Sequence, residues 1–470
     1  MFSRLTMTFA QIFRVFGWCC ALLASTVGVQ QAALAQDAPR ICVVAADADT
    51  GPVHAIGDFP GGGMLIGGEK GLFLARAADG KVTVTPVRGG GDIGRVLGIH
   101  GLPGGKALIG TGKGLFLALE AGGTLAPVLG DAGTGSVHLL HDLPGAGVLV
   151  GAEKGLFLAR EHNGKVTVAP AGYEGQPHEM DDFMGRGVLL RADSGWVFAR
   201  AASGKVTLVE LGNSGAGYLR SMRNFAGGVL IETQNAWFLL REEGRRITGT
   251  LFGGDTAGLV DALGYLPGGL MLIHGERGWF TVRAEGGKVT FAPAGGPDTR
   301  RVLHLTRLGS GLLAQTWDGW FMAREAGGKV AIAPVAAPDT DEVFQMHALG
   351  ESSVLIGAQG GLFVARDTGG TVTLEHARDP ETGPVRILRG LSGGGVLIGA
   401  AAGWFVAREA GGKVTVTPAG PMTIGSAPQD ARNPGYQMRD LSGGGVLIGA
   451  DRGLSVAGPG PAGARGCEGR

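Results

Sequence analysis

The side chains best suited to chemistry stand at one place in a short segment that recurs about every 41 residues. In chain order that place holds Gly57, His100, His141, Asp181, Arg223, Gly264, Thr306, His347, Arg389 and Arg439. The other strands of the repeat barely change between copies, so dissimilar polar residues at equivalent places are the best pointer to a binding site. Imidazole and guanidinium groups donate hydrogen bonds and a carboxylate accepts them, which suits a polar ligand.

A second varied place lies three residues earlier in the same segment. It holds His54, Leu97, His138, His178, Arg220, Asp261, Leu303, Phe344, Arg386 and Tyr436. In the third and fourth copies, His141, His178, Glu179 and Asp181 combine imidazole and carboxylate groups, which are ligands that Zn²⁺ accepts. Successive strand positions face opposite ways, however, so we predict neither a metal site nor any other cofactor.

Arginine is the third type of side chain at these places. Arg223, Arg389 and Arg439 present planar donor groups that could hold a carboxylate or a sulfate. The alternative is that these arginines pair with acidic side chains across or around a common channel. The regular arginines that end another strand of each unit, Arg76 among them, predict a structural rim instead.

A repeating unit positions all of these residues. A small residue, nearly always Gly, precedes a large apolar one at Leu72, Leu115, Leu156, Trp196, Trp237, Trp279, Trp320, Leu362, Trp404 and Leu454. Ten such units fill the chain after its N-terminal segment. We expect the tryptophans among these residues to pack between units rather than to stack on a sugar.

Each unit reads as four short strands separated by Gly, Pro and Asn-Gly turns, for example 137–143, 148–151, 156–160 and 165–169. Continuous apolar runs indicate that both sheet faces are buried, as in a propeller blade. The sequence therefore predicts an all-β fold, a single ten-bladed β-propeller of four-stranded antiparallel blades over residues 36–470. A β-solenoid and two five-bladed rings are the alternatives.

The two ends of the chain complete one blade in this prediction. The tenth unit lacks its fourth strand, whereas residues 41–46 form an orphan strand before the first unit. Placing that strand in the last blade closes the ring and removes its open edges. Cys42 and Cys467, the two cysteines left in the mature chain, are then predicted to form a disulfide beside this closure.

The N-terminal segment has the features of a secretory signal peptide. Arg4 and Arg14 precede an apolar stretch that ends in Ala-Leu-Ala at residue 35, and this stretch is too short to span a membrane. We therefore predict a signal peptide over residues 1–35, and a periplasmic or secreted monomer with no membrane span after its removal. The mature chain has 39 Lys and Arg (41 minus Arg4 and Arg14) against 41 Asp and Glu, which argues against nucleic acid.

The motif Leu-Ile-Gly-x-x-x-Gly-Leu-Phe, at 65–73, 108–116 and 355–363, resembles the repeats of two-component-regulator propellers. That resemblance implies a propeller and an extracytoplasmic sensing role. The sequence departs from the family pattern in two ways. Met64, Ala107 or Val148 stands where the family usually has Trp, and no kinase or DNA-binding domain follows the last unit.

Enzyme motifs such as Gly-x-Ser-x-Gly and His-Glu-x-x-His are missing from the sequence. We therefore favour a scaffold that binds a small ligand or a protein partner at the channel mouth over an enzyme. The alternative is a hydrolase or lyase that acts on extracellular carbohydrate, for which Glu179, Asp181 and Asp182 would supply the carboxylates. The connection over 418–434, which is longer than the others, is predicted to overhang the mouth.

Overall fold

The computed structural model describes residues 41–459 except 47, 79–80, 122–123, 132, 163–164, 193–194, 203–204, 213–218, 244–245, 268, 286, 328, 378–379, 393, 422–436 and 442–444. It is a ring of ten antiparallel four-stranded sheets, which confirms the predicted ten-bladed propeller. The predicted signal peptide, Cys467, Tyr436 and most of the 418–434 connection lie outside the described residues.

The strands of the first five blades follow one another along the chain after an initial strand. They are β1 (Ile41–Ala45), β2 (Val53–Asp58), β3 (Met64–Gly68), β4 (Gly71–Ala78), β5 (Lys81–Pro86), β6 (Val96–Leu102), β7 (Lys106–Thr111), β8 (Gly114–Ala121), β9 (Thr124–Asp131), β10 (Val137–Leu143), β11 (Gly147–Ala152), β12 (Gly155–His162), β13 (Lys165–Tyr173), β14 (Pro177–Asp182), β15 (Val188–Ala192), β16 (Gly195–Ala202), β17 (Lys205–Gly212), β18 (Leu219–Phe225), β19 (Gly228–Thr233), β20 (Trp237–Glu243) and β21 (Arg246–Leu251).

A single helical turn, α1 (Gly254–Ala257), precedes the sixth blade. The remaining strands are β22 (Val260–Tyr265), β23 (Met271–Gly275), β24 (Gly278–Glu285), β25 (Lys288–Pro293), β26 (Val302–Leu308), β27 (Gly311–Thr316), β28 (Gly319–Ala326), β29 (Lys329–Val335), β30 (Val343–Ala348), β31 (Ser353–Ala358), β32 (Gly361–Thr368), β33 (Thr371–His376), β34 (Val385–Gly390), β35 (Val396–Ala400), β36 (Gly403–Ala410), β37 (Lys413–Gly420), β38 (Gln437–Leu441), β39 (Gly445–Ala450) and β40 (Gly453–Pro459). We call the four strands of each blade a, b, c and d in sheet order, with a innermost.

The repeated Gly of each unit is the first residue of strand c. Gly155 has φ +116°, and a Cβ built on it would lie 2.4 Å from the carbonyl oxygen of Tyr173 at the end of strand d. Only glycine tolerates this conformation and this close approach. In blade five Ala236 replaces the glycine, and strand c begins one residue later at Trp237.

The hydrophobic core is divided among the seams between blades. In one cluster, Leu108 of blade two packs with Val137 and Val148 of blade three. In another, Leu230 of blade five packs with Val260 of blade six, so the chain forms one ring rather than two five-bladed rings. Because successive blades bury each other's faces, strands b and c are apolar on both sides, as their continuous apolar runs indicate.

The tenth blade contains strands from both ends of the chain. β1 pairs antiparallel with β40, with Val43 opposite Ala457, and the sheet order is β1-β40-β39-β38. Val53 of blade one packs with Leu441 and Leu447 of blade ten in a shared cluster. Blades ten and one therefore pack against each other through buried apolar side chains, as other neighbouring blades do.

Candidate functional site

The first varied place on strand a contacts the following blade. His100 Nε2 lies 3.1 Å from Asp142 Oδ1 of blade three. In blade nine, Arg389 donates through Nη2 to Asp440 Oδ2 of blade ten at 3.2 Å and through Nη1 to the Met438 carbonyl at 3.1 Å. These pairs run around the channel from blade to blade, so much of the varied ring links neighbours.

His347 shows the same arrangement with backbone partners. Its Nε2 accepts a hydrogen bond from the N–H of Gly390 in blade nine at 3.0 Å, and its Nδ1 lies 2.7 Å from the Ala348 carbonyl oxygen. Both ring nitrogens are therefore engaged within the protein. The predicted ligand residues Arg389 and His347 serve the contact between blades before any ligand is present.

Asp181 differs from these residues. Its carboxylate is half-buried on β14, and no hydrogen bond or ion pair joins it to another residue in the described part of the chain. Burial raises the pKa of Asp181, and the negative charges of Glu179 and Asp182 raise it further, whereas nearby His141 lowers it. The side chain is thus a partly desolvated acid with no hydrogen-bond donor among the described residues, and with a second acid and an imidazole close by.

The other predicted site residues of blades three and four differ from Asp181, because they either form hydrogen bonds within the protein or are exposed to solvent. Glu179 Oε2 accepts hydrogen bonds from Arg191 Nε and from the N–H of Leu219, both at 3.2 Å. His141 Nδ1 lies 3.0 Å from the Asp142 carbonyl oxygen, and His178 is exposed. Glu179 and Asp181 therefore do not form a pair of two free carboxyl groups.

The predicted arginines are not brought together with Asp181. Arg223 of blade five lies with its guanidinium carbon 5.1 Å from the ring centroid of Trp237, and its Nη2 is 3.5 Å from Ser221 Oγ. Arg439 of blade ten is exposed and makes no hydrogen bond within the described residues. Blades nine and ten lie on the opposite side of the ring from blade four, so no single site contains all of the predicted residues.

The structure corrects the prediction that strand b is uniform. At the second-last place of strand b, six blades have Gly, whereas blades four to seven have Arg191, Glu232, His274 and Gln315. Each of these four pairs across the ladder with the Trp of strand c. This difference between glycine and larger polar residues is visible when the strand-b sequences of the ten units are compared.

Three of these four side chains make polar contacts with strand a of their own blade, whereas no hydrogen bond joins Gln315 Oε1 to a described residue. Arg191 binds Glu179, and Glu232 accepts a hydrogen bond from Ser221 Oγ at 2.8 Å. His274, which is 2% exposed, has Nδ1 2.8 Å from Asp261 Oδ1 and Nε2 3.2 Å from the Thr299 carbonyl oxygen. The strand-b substitutions therefore add polar contacts between strands a and b in one sector of the ring.

The rim arginines and the strand-c tryptophans have the structural roles predicted for them. Arg76 Nη2 donates to Glu120 Oε1 of the next blade at 2.9 Å, and Arg200 reaches Glu242 in the same way at 2.6 Å. The tryptophans at this strand-c position are at most 6% exposed, which leaves no ring face for a sugar. Within the described residues, no cluster of three or more metal-ligating side chains is found. None of the described helices is both long and apolar enough to cross a membrane.

The chain is similar in fold to several solved structures. One is the extracellular domain of a putative one component system, BT4673, from B. thetaiotaomicron, at 12% identity and TM-score 0.33, over 88% of this chain and 59% of that one. Another is the extracellular domain of the putative hybrid two component system BT3049 from the same organism, at 15% identity and TM-score 0.30, over 88% and 65%. A third is YCF48 from Cyanidioschyzon merolae, at 10% identity and TM-score 0.36, over 61% and 97%.

The chain thus spans about three fifths of the length of the two B. thetaiotaomicron domains it matches. No protein-family model matches the sequence. No curated protein matches it either.

Proposed function

We propose that this protein is an exported propeller scaffold that binds a small ligand or a protein partner at the mouth of its channel, with Asp181 as the anchor. The observation that supports this proposal is the half-buried Asp181 carboxylate without a hydrogen-bond donor in the described residues. A partly buried carboxylate on the innermost strand that has no donor among the described residues is open to a ligand that supplies one.

The charges around Asp181 indicate what that ligand carries. Glu179 and Asp182 disfavour ionisation of Asp181, so a cationic donor beside it would relieve repulsion as well as complete a hydrogen bond. An amine or guanidinium group, on a small molecule or on a Lys or Arg of a protein, has this chemistry. His141 and His178 would border the bound group, while Arg223, His347, Arg389 and Arg439 line other sectors of the ring.

The predicted signal peptide and the predicted Cys42–Cys467 disulfide support export to the periplasm or beyond the cell. A monomeric ring with apolar seams and a polar inner surface fits a binding module in that compartment. We propose no catalytic role for the Asp181 group.

A thermal-shift screen of residues 36–470 tests the anchor. The probes are n-butylamine, putrescine and methylguanidine, with butyrate and n-butanol as the anionic and neutral comparisons. We expect a cationic probe to raise the melting temperature of the parent and of Arg389→Ala, but not that of Asp181→Asn. The proposal fails if no cation stabilises the protein, or if the shift survives in Asp181→Asn.

A further inference from the structure

A cavity of about 490 Å³ lies in the seam between blades two and three, beside the turns that join strands a and b. Leu102 and Leu108 of blade two and Leu143, Val148 and Ala159 of blade three are among its lining residues, and all five are buried. A cavity of this volume is within the range of small-molecule sites in proteins, which are mostly lined by apolar side chains.

An exception to the repeat lies at the rim of this seam. In some other seams, the arginine near the end of strand c reaches an acidic side chain of the next blade, as Arg76 reaches Glu120 and Arg324 reaches Asp367, both at 2.9 Å. Blade two has Leu119 at the equivalent position. Blade two therefore does not supply to this seam the strand-c guanidinium group that eight other blades carry.

The acid that such an arginine would meet has a different partner here. Glu161 of blade three is the counterpart of Glu120, and it forms an ion pair with Lys106 at the start of strand b in blade two. The cation thus approaches from strand b instead of strand c. Leu119 is shorter than an arginine and uncharged, so it cannot pair with Glu161 or extend as far across this seam.

The charged groups that line the cavity are already engaged. Glu161 pairs with Lys106, Asp142 Oδ1 lies 3.1 Å from His100 Nε2, and Arg160 Nε donates to the Ala146 carbonyl at 3.2 Å. A charged ligand would gain little from groups that have partners and would lose its own hydration. An uncharged ligand avoids that cost and gains from burial of its apolar surface.

We propose that the seam between blades two and three is a binding site for an uncharged, largely apolar small molecule. Leu119 is the residue that specifies this site, because it replaces the rim arginine. The site does not use Asp181, so it and the proposed function can fail separately.

Isothermal titration calorimetry of residues 36–470 tests the proposal with three probes of equal length: 1-hexanol, hexylammonium and hexanoate. We expect saturable binding of 1-hexanol at one site, and affinities at least tenfold lower for the two charged probes. Leu119→Arg restores the residue that eight other blades carry. It should pair with Glu161, occupy the cavity and weaken 1-hexanol binding at least tenfold.

Two further variants separate the site from general effects of a rim charge. Ala77→Arg adds the same side chain at an exposed position next to the rim arginine of blade one, and should leave 1-hexanol binding unchanged. Ala159→Leu fills the cavity from blade three and should also abolish 1-hexanol binding. This variant tests the site even if Leu119→Arg fails to fold. Asp181→Asn should bind 1-hexanol like the parent.

The proposal is overturned if 1-hexanol shows no saturable binding, or if a charged probe binds more tightly than it does. It is also overturned if folded Leu119→Arg and Ala159→Leu proteins keep the parent affinity. Loss of the amine response in Asp181→Asn with unchanged 1-hexanol binding would support both proposals independently.

Discussion

His274 on strand b of blade six lies with Nδ1 2.8 Å from Oδ1 of Asp261 on strand a, and both side chains are shielded from solvent. The other ring nitrogen is 3.2 Å from the Thr299 carbonyl oxygen, and Thr299 Oγ1 accepts a hydrogen bond from Trp279 Nε1 at 3.1 Å. Strands a, b and c of one blade are thus joined to the loop that leads to the next blade.

This network predicts a large effect for His274→Gly, although six other blades carry Gly at that position. The substitution removes the partner of Asp261 and leaves a mostly buried carboxylate unpaired. We expect the free energy of unfolding to fall by about 3 kcal/mol, measured by urea denaturation. A double-mutant cycle with Asp261→Ala should give a coupling energy of about 1–3 kcal/mol.

Gln315→Gly is the matched control for this prediction. Gln315 stands at the equivalent position of blade seven and is 8% exposed, but its Oε1 has no hydrogen-bond partner among the described residues. Its removal should therefore cost the packing of the side chain without breaking a polar pair, and the loss should be about 1 kcal/mol. Equal losses for His274→Gly and Gln315→Gly would show that the network contributes nothing beyond packing.

The propeller could be predicted from the sequence because its signals are periodic. The Gly before Leu156 recurs for a steric reason, its positive φ and its contact with the end of strand d. The orphan strand at 41–46 could likewise be assigned by counting strands, since only one blade lacked a partner for it.

The candidate site was less predictable because contacts between blades depend on side-chain reach. Sequence comparison identified His347 and Arg389 as varied positions, but only coordinates show that they bind Gly390 and Asp440 of the next blade. It also treated strand b as uniform and so passed over His274. The same comparison at that strand would have found it, although not its pairing with Asp261.

Asp181 predicts a pH-dependent stability difference. Its pKa is raised in the folded protein, so the native state holds the proton more tightly than the unfolded state between the usual value of 3.8 and the raised value. Ionisation of Asp181 therefore destabilises the fold as pH rises through that window. We expect Asp181→Asn to be more stable than the parent at pH 7, with a difference that shrinks as the pH falls below the window.

Melting temperatures of the two proteins between pH 3 and pH 8 measure this effect, with Asp142→Asn as the control on the neighbouring blade. A difference between Asp181→Asn and the parent that is independent of pH would contradict the assignment. A bound cationic ligand should reduce the difference, because it stabilises the ionised form of Asp181.

The rim pairs predict that burial, not distance, sets the energy of an ion pair. Arg76–Glu120 and Arg324–Asp367 are both 2.9 Å apart, but the Asp367 side chain is 6% exposed and that of Glu120 is 24% exposed. Arg324→Ala leaves the mostly buried Asp367 carboxylate with the Gly370 N–H as its remaining donor among the described residues. It should cost about 3 kcal/mol, whereas Arg76→Ala should cost less than about 1 kcal/mol. Urea denaturation of the two variants measures both values, and equal losses would contradict this reasoning.

The predicted Cys42–Cys467 disulfide would hold the two ends of the chain at the tenth blade. Cys42 is 7% exposed on β1 and lies opposite Gly458 of β40, and the nine residues after Gly458 give Cys467 enough chain to reach it. A bond that closes nearly the whole mature chain would stabilise the fold by about 6 kcal/mol in the loop-entropy model, less any strain in the folded protein. Non-reducing peptide mapping of the exported protein should therefore recover the two cysteines in one cross-linked fragment. Cys42→Ala and Cys467→Ser should lower the melting temperature by similar amounts if they remove the same bond. If only Cys42→Ala lowers it, Cys42 stabilises the fold by packing and not through a disulfide.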